Sequence, residues 1–305
     1  MEGVIPAGAG QTFQDWEIVA VDDASPDGTH AKLLAWASRE PRVRVDRNPS
    51  NRGVTGNWNE CLRRARGEFV VKLDADDVYR PRTLEELIAP MADRGVVGSG
   101  VRALVCSEDL QPIGSYPSDA AMSDAGIDPY ADSVRNCAEW LRIAAWGHQL
   151  WNGDAILVRR AVMDQIGGLD ERFGCASDTA LVVSVLSQPG LFSHRAYVGV
   201  YYRTVGSSIS HDSRRDGSLA LEGTVLQLMT LARLRQRERL PRALRMHHVQ
   251  FWRRWRRVAA NPSPHGEIPA GVVEGLRRVM KGVAPPPLSD RASERLRNLL
   301  SRLPV

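Results

Sequence analysis

The segment 71–81, VKLDADDVYRP, sets three carboxylates, Asp74, Asp76 and Asp77, directly behind an apolar run. Like charges this close repel, and each loses solvation where the end of a strand is buried. A divalent cation such as Mn2+ or Mg2+ would relieve both costs, because hard cations prefer carboxylate oxygen. A solvated turn with acids capping the next helix would relieve them as well. An EF-hand is a poor fit, since its loop glycine and distal glutamate are missing. A second acidic pair, Asp22 and Asp23, closes the run WEIVAVDD and leads into the turn residues Asp27 and Gly28. A third acidic position, Asp178, lies in GGLDERFGCASD ahead of TALVVSVL. A carboxylate placed beside a hydroxyl can take its proton; in that position it can equally cap the helix that follows.

These acids need a scaffold, and the hydrophobic periodicity supplies one. WEIVAVD, VRVDRN and EFVVKLD read as short strands. AKLLAWASRE, GVTGNWNECLRRARG (closed by Gly67) and RTLEELIAPMADRG (opened by Pro81) read as helices between and after them. Such β-α alternation predicts an α/β fold with a mostly parallel central sheet flanked by helices. Ligands of open α/β sheets bind beyond the carboxyl ends of the strands, where Asp22, Asp23 and Asp74–Asp77 cluster. If the two acid-tipped strands are parallel neighbours, both groups open on one edge. Further along, VVGSGVRALVCSEDL predicts a strand, SVRNCAEWLRIAAW a helix, and DAILVRRAVMDQIGG a strand and a helix stopped by glycine. ASDTALVVSVLSQ predicts a buried helix and HRAYVGVYYR a strand. Beyond residue 215 the pattern is helical only, with helices expected near 217–238, 241–260, 270–281 and 289–302.

The 305 residues suit one large domain plus an extension. Hydrophobic residues are 43% and charged residues 25%, which excludes disorder throughout and a rod-like repeat. No apolar run reaches the roughly 18–20 residues of a membrane span, and MEGVIPAGAG does not read as a secretory signal. A cytoplasmic protein is expected. The four cysteines, Cys61, Cys106, Cys137 and Cys175, lack metal-site spacing and read as free thiols. The net charge of +4 is unevenly spread: residues 231–258 hold ten Arg and one Glu, so the rest of the chain is acidic. Residues 240–260 form a basic amphipathic pattern. Such a helix suits an anionic membrane surface, with Trp at the interface, or docking on its own domain with a solvated Arg face. Nucleic acid is not the expected partner, because no binding motif accompanies the arginines.

QTFQDWEIVAVDDASPDGT, NRGVTGNWNECLRRARGEFVVKLDADDVYRP and GGLDERFGCASD, in this order, resemble the family 2 glycosyltransferases of GT-A fold, over about residues 11–210. The resemblance implies a metal-dependent, inverting transfer of a sugar from a nucleotide-diphosphate donor to a hydroxyl acceptor, a glycan or lipid-linked glycan. It implies that Asp23 binds the nucleotide base, with Asp22 beside it, and that Asn51, Gly53 and Asn59 lie near the nucleotide. Asp74 would meet the ribose. Asp76, assisted by Asp77, would hold a Mn2+ or Mg2+ that bridges to the diphosphate. Asp178 would be the general base. Arg203 and His211, in YYRTVGSSISH, would serve phosphate and metal. In WGHQLWNGDA, Trp146, Trp151 and Asn152 could line an acceptor site, since sugars present apolar C–H faces and hydroxyls; core packing is the alternative for the tryptophans.

Members of the family open with a strand of the type V-S-V-I-I-P-x-Y-N and a helix before the QTF segment. Here Val4, Ile5 and Pro6 are the only counterpart, and Ala7 to Gly10 leave no room for the helix. A shortened first region is therefore expected, with an exposed sheet edge. The resulting division is a transferase domain at 1–215 and a helical extension at 216–305. A non-catalytic GT-A-like binding protein is the alternative. A sugar-phosphate nucleotidyltransferase is disfavoured, because its glycine-rich, basic N-terminal loop is absent.

Overall fold

The computed structural model describes residues 10–116, 119–146, 150–204 and 218–237, with short stretches between 244 and 256 and Met280. Strand and helix alternate through β1 (Ile18–Asp22), α1 (Thr29–Ala37), β2 (Val43–Arg47), α2 (Gly53–Arg64), β3 (Phe69–Val71), β4 (Val78–Tyr79) and α3 (Thr83–Ile88). β5 (Val96–Cys106), β6 (Pro112–Tyr116), α4 (Asp119–Asp124), β7 (Ser133–Asn136) and α5 (Cys137–Ala144) follow. The described order closes with β8 (Ile156–Arg159), α6 (Arg160–Ile166), α7 (Ser177–Leu186), β9 (Leu191–Arg203) and α8 (Ser218–Arg237).

The α/β class holds, but the sheet is mixed rather than mostly parallel. Among the described residues, β1–β2 and β5–β9 pair parallel and the other pairings are antiparallel. The reason is local. β5 reverses through a tight turn, in which Ser107 N–H donates to Gln111 O at 2.9 Å, and returns as β6. β8 enters beside β5 in the opposite direction.

The acid-tipped strands β1 and β3 are not neighbours. Among the described residues β1 pairs with β2 alone, while β3 sits at the end of the order β3-β8-β5-β9-β4. This is the arrangement expected if no described strand lies between them; residues 4–6 fall outside the described residues. Side chains span the gap instead. Glu17 accepts backbone N–H bonds from Arg66 and, at 3.2 Å, from Gly67, just ahead of β3. Asn57 of α2 donates its amide to Val21 O at 2.9 Å, a carbonyl on the strand edge away from β2.

The helix expected over 82–95 is also shorter. α3 ends at Ile88 and a 3-10 turn takes over at Ala89–Ala92. Pro90 explains this, because it has no N–H to continue the α-helical ladder.

The main core lies between the large sheet and α5, α7 and α8. Trp140 and Trp151 meet edge to face at 5.0 Å, and Trp151 packs on Phe192 at 4.8 Å. Such aromatic pairs contribute about 0.5–1.5 kcal/mol beyond area burial. The glycines of VVGSG make room for them. A Cβ on Gly100 would fall 2.6 Å from Trp151 Nε1, and one on Gly98 would fall 2.8 Å from Phe192.

α8 belongs to the same core, through Leu231 and Leu234. Leu244, His248 and Trp252 are buried at one-turn spacing while Met246 is exposed. The described part of the basic segment therefore turns one face to the protein. The helix expected at 289–302 and, except for Met280, that at 270–281 lie outside the described residues, as does the 215/216 boundary.

Candidate active site

Asp23 leaves β1 and turns toward the start of α2. Its Oδ1 accepts from Asn48 Nδ2 at 2.8 Å and from Arg52 N–H at 2.9 Å. Asn48 also donates to Asn57 Oδ1 at 2.9 Å, so an amide relay joins β1, β2 and α2 behind the acid. Neither Asn48 nor Asn57 is named among the candidates from sequence; Asn57 lies within the block that begins at Asn51, and Asn48 lies ahead of it. Asp22 does a different job. It is buried, with Arg47 Nε 3.0 Å from its Oδ2, and it ties β1 to β2.

Of the other residues expected near the nucleotide, Asn51 accepts from Gly53 N–H at 2.9 Å and shapes the entry to α2. Gly53 itself has φ of +75°, a conformation that glycine adopts without steric cost. Asn59 points elsewhere. Its amide donates to Leu169 O at 3.0 Å and its Oδ1 accepts from Leu169 N–H at 2.9 Å, so it clamps the GGLDE turn. Both ends of its side chain are committed there.

The central cluster forms beyond β3. Lys72 is only 6% exposed. Its ammonium bonds Asp74 Oδ2 and lies 3.1 Å from Asp178 Oδ1. Trp58 of α2 presents its ring face 4.9 Å from the same nitrogen. Burial opposes the charge on Lys72, but Asp178, Asp74 and Asp154 outweigh it and hold the pKa above that of an ordinary lysine. Asp76 is half-buried beside them. Asp77 is fully buried, and its Oδ1 accepts from Arg203 N–H at 2.8 Å. That bond fixes the end of β9 against the acidic turn; the Arg203 Nε is buried without a partner among the described residues.

Behind Asp77 stands Asp154, also fully buried, which the sequence reading passed over. It falls at the end of WGHQLWNGDA, in a 3-10 turn at Gly153–Ala155. Burial pushes Asp77 up to about 6, against the pull of its bonds to Asp154 and Arg203 N–H. Asp154 is pushed well above the usual carboxylate range, first by burial and then by Asp77. Two carboxyls that face each other in a buried place are satisfied together when one carries a proton.

Asp178 sits in the first turn of α7 and does not cap it: the capping position is Ala176, and no side chain of α7 supplies a cap bond. The first turn of a helix favours a carboxylate electrostatically. Gly153 lies against this acid, so closely that a Cβ there would fall 2.5 Å from Asp178 Oδ1.

The loop leading into α7 is held from three sides. Asn59 grips Leu169, and Thr55 donates to Phe173 O at 3.0 Å. From α8, buried Glu222 accepts from Gly174 N–H at 3.2 Å and from Ala176 N–H at 2.8 Å. Glu222 thus caps a helix it does not belong to. Replacing Glu222 by Ala strands two amides and should destabilise the protein by about 1–2 kcal/mol, with Glu222→Gln keeping part of the loss back; urea unfolding followed by circular dichroism measures both.

Of the residues that could line an acceptor site or pack in the core, two take the core. Trp151 is completely buried in the aromatic core and Asn152 is buried beside it, so neither is presented to a sugar. The large-sheet glycines created the space that drew Trp151 inward. Trp146 is the exposed one of the three, at 43%. His211 lies outside the described residues. All four cysteines are free thiols.

Among the described residues, no group of three His, Cys, Asp or Glu side chains is arranged to hold a metal ion. A Mg2+- or Mn2+-type site that uses one or two carboxylates plus substrate phosphates does not require such a group. Asp76 and the buried Asp77 fit that sparser donor set. No helix among the described residues is long and apolar enough to cross a membrane.

Residues 7–119 match the profile of Glycosyl transferase family 2. The putative glycosyltransferase EpsE of Bacillus subtilis is 33% identical over 95 residues, 30% of this chain and 34% of its own length. The putative teichuronic acid biosynthesis glycosyltransferase TuaG of the same organism is 30% identical over 106 residues, 35% of this chain and 42% of its own length. The UDP-Glc:alpha-D-GlcNAc-diphosphoundecaprenol beta-1,3-glucosyltransferase WfgD of Escherichia coli is 33% identical over 86 residues, 28% of this chain and 33% of its own length. The chain thus spans well under half the length of these curated relatives. S. aureus TarS 1-349, in complex with UDP-GlcNAc, shares the fold at TM-score 0.60 and 15% identity, over 92% of this chain and 77% of that one. The mannosyltransferase PcManGT of Pyrobaculum calidifontis, in complex with GDP-Man and Mn2+, aligns at TM-score 0.51 and 17% identity, over 97% of this chain and 74% of that one.

Proposed function

From the match of residues 7–119 to glycosyl transferase family 2, we propose that the chain moves a sugar from a nucleotide-diphosphate donor to a hydroxyl acceptor in glycan or polysaccharide assembly. One observation carries the proposal. Asp74 and Asp178, a hundred residues apart, meet at a single buried ammonium, so a donor-binding acid and a base share one site.

In this reading Asp23 holds the nucleotide base and Asp74 the ribose. Asp76 and Asp77 hold a divalent ion with the diphosphate, and Arg203 lies near the phosphates. The ion supplies charge neutralisation for the departing nucleoside diphosphate. Asp178 accepts the proton of the acceptor hydroxyl as its oxygen bonds the anomeric carbon and the carbon–phosphate-oxygen bond breaks. A single displacement of this kind inverts the anomeric centre. The donor classes to try first are UDP-glucose, UDP-N-acetylglucosamine and GDP-mannose, named for WfgD, TarS and PcManGT.

The acceptor is a glycan or lipid-linked glycan hydroxyl, met at the cytoplasmic face of a membrane. The basic segment 240–260 supports this, as does the diphosphoundecaprenol acceptor in the name of WfgD. Residues 1–215 form the transferase unit and 216–305 its helical extension.

Calorimetric titration of UDP and GDP with and without Mn2+ tests the donor half of the reading. Asp76→Ala should weaken Mn2+-dependent binding about 10–100-fold, the scale of one lost charged contact. Unchanged Mn2+-dependent affinity in Asp76→Ala would remove Asp76 as the ligand. A second reading, a non-catalytic nucleotide-binding protein, draws on the separation of β1–β2 from the main sheet. It predicts nucleotide binding with no sugar transfer by the unaltered protein.

A further inference from the structure

We propose that Lys72 is a positioning residue for the transfer step, a clamp that sets the base Asp178 at a fixed place relative to the donor-binding Asp74. The proposal rests on the transferase reading and adds to it a residue that no motif names.

The geometry makes the case. Lys72 is buried, yet its ammonium is spent on two carboxylates from distant elements, Asp74 beyond β3 and Asp178 in α7. Asp178 Oδ1 is buried and has no hydrogen-bond partner among the described residues, leaving the Lys72 ion pair to hold it. On the opposite side Gly153 leaves no spare room, since a Cβ there would also fall 3.1 Å from Lys72 Cδ. The ring of Trp58 backs the ammonium and restrains it further.

Composition adds an independent argument. The chain holds three lysines against 37 arginines, and one of the three stands here. A compact ammonium can sit between two carboxylates beside a glycine, whereas the broad guanidinium fork needs more space. A mere neutralising charge would not demand that choice. A structural ion pair between neighbouring elements would also not need to select the two acids that the reaction assigns to opposite substrates.

The test uses the full chain. Nucleoside diphosphate release from UDP-glucose, UDP-N-acetylglucosamine and GDP-mannose is followed with Mn2+ and octyl glycosides as acceptors, alongside UDP and GDP titration. Lys72→Met keeps the length and removes the charge. It should lower kcat about 100-fold, the scale of a misplaced catalytic group, with nucleotide affinity within about threefold. In the Asp178→Asn background the same change should cost less than about twofold, because the base it positions is gone. Should Lys72→Met not fold, Lys72→Arg carries the same three expectations with a smaller loss in kcat. A kcat within about threefold of the unaltered protein, or a loss that persists undiminished in Asp178→Asn, overturns the clamp alone. Absence of transfer by the unaltered protein overturns the transferase reading, and the clamp falls with it.

Discussion

Asparagine at position 178 should lower kcat by about 10³-fold while leaving UDP or GDP affinity within about threefold. The side chain keeps its shape and its place in the first turn of α7. What it loses is the ability to take a proton from an acceptor hydroxyl. The fold should tolerate the change, because Lys72 retains Asp74 as an ionic partner and is not left as an isolated buried charge. Steady-state release of nucleoside diphosphate, set against calorimetric titration, separates the two effects. Equal loss in both would mean that Asp178 binds donor. Unchanged turnover would remove it as the base.

Gly153→Ala should be nearly as damaging, about 100-fold in kcat, without removing any charged group. The added carbon would fall 2.5 Å from Asp178 Oδ1 and 2.8 Å from its Cγ. Something must move. Backbone movement is resisted because Gly153 opens the turn that holds Asp154 behind Asp77, and Tyr79 OH donates to Asp154 O there. The short Asp178 side chain yields instead and swings away from its place beside Lys72. The expected signature is a fall in kcat with unchanged nucleotide affinity and a melting temperature lower by only a few degrees. A kcat within about threefold of the unaltered protein would show that the acid has room to move.

Much of this arrangement was legible in the residues. Strand-end acids, glycine stops and alternating apolar runs announced the α/β class, and Gly167 does end α6 in a left-handed conformation. The mixed sheet was not legible, because a strand's direction depends on which partner it meets, and apolar runs of β5 and β8 type look alike in either sense. The place of Trp151 was open between two readings for a related reason. An aromatic residue beside amides suits a sugar or a core equally well, and only the glycines at 98 and 100 across the sheet decide between them. Lys72, Asp154 and Glu222 escaped notice because each acts through a partner at least two elements away. Local pattern carries periodicity and caps; it does not carry the company a side chain keeps after folding.

The cap that Glu222 places on α7 has a consequence for anyone recombining this protein with a relative. The helix bearing Asp178 and the helix after residue 217 act as two halves of one fitting. A chimera that exchanges only one of them would leave the amides of Gly174 and Ala176 facing a foreign surface. Its nucleotide side would be built intact, and its acceptor side would be loose. A productive exchange cuts ahead of Phe173 and carries both helices together.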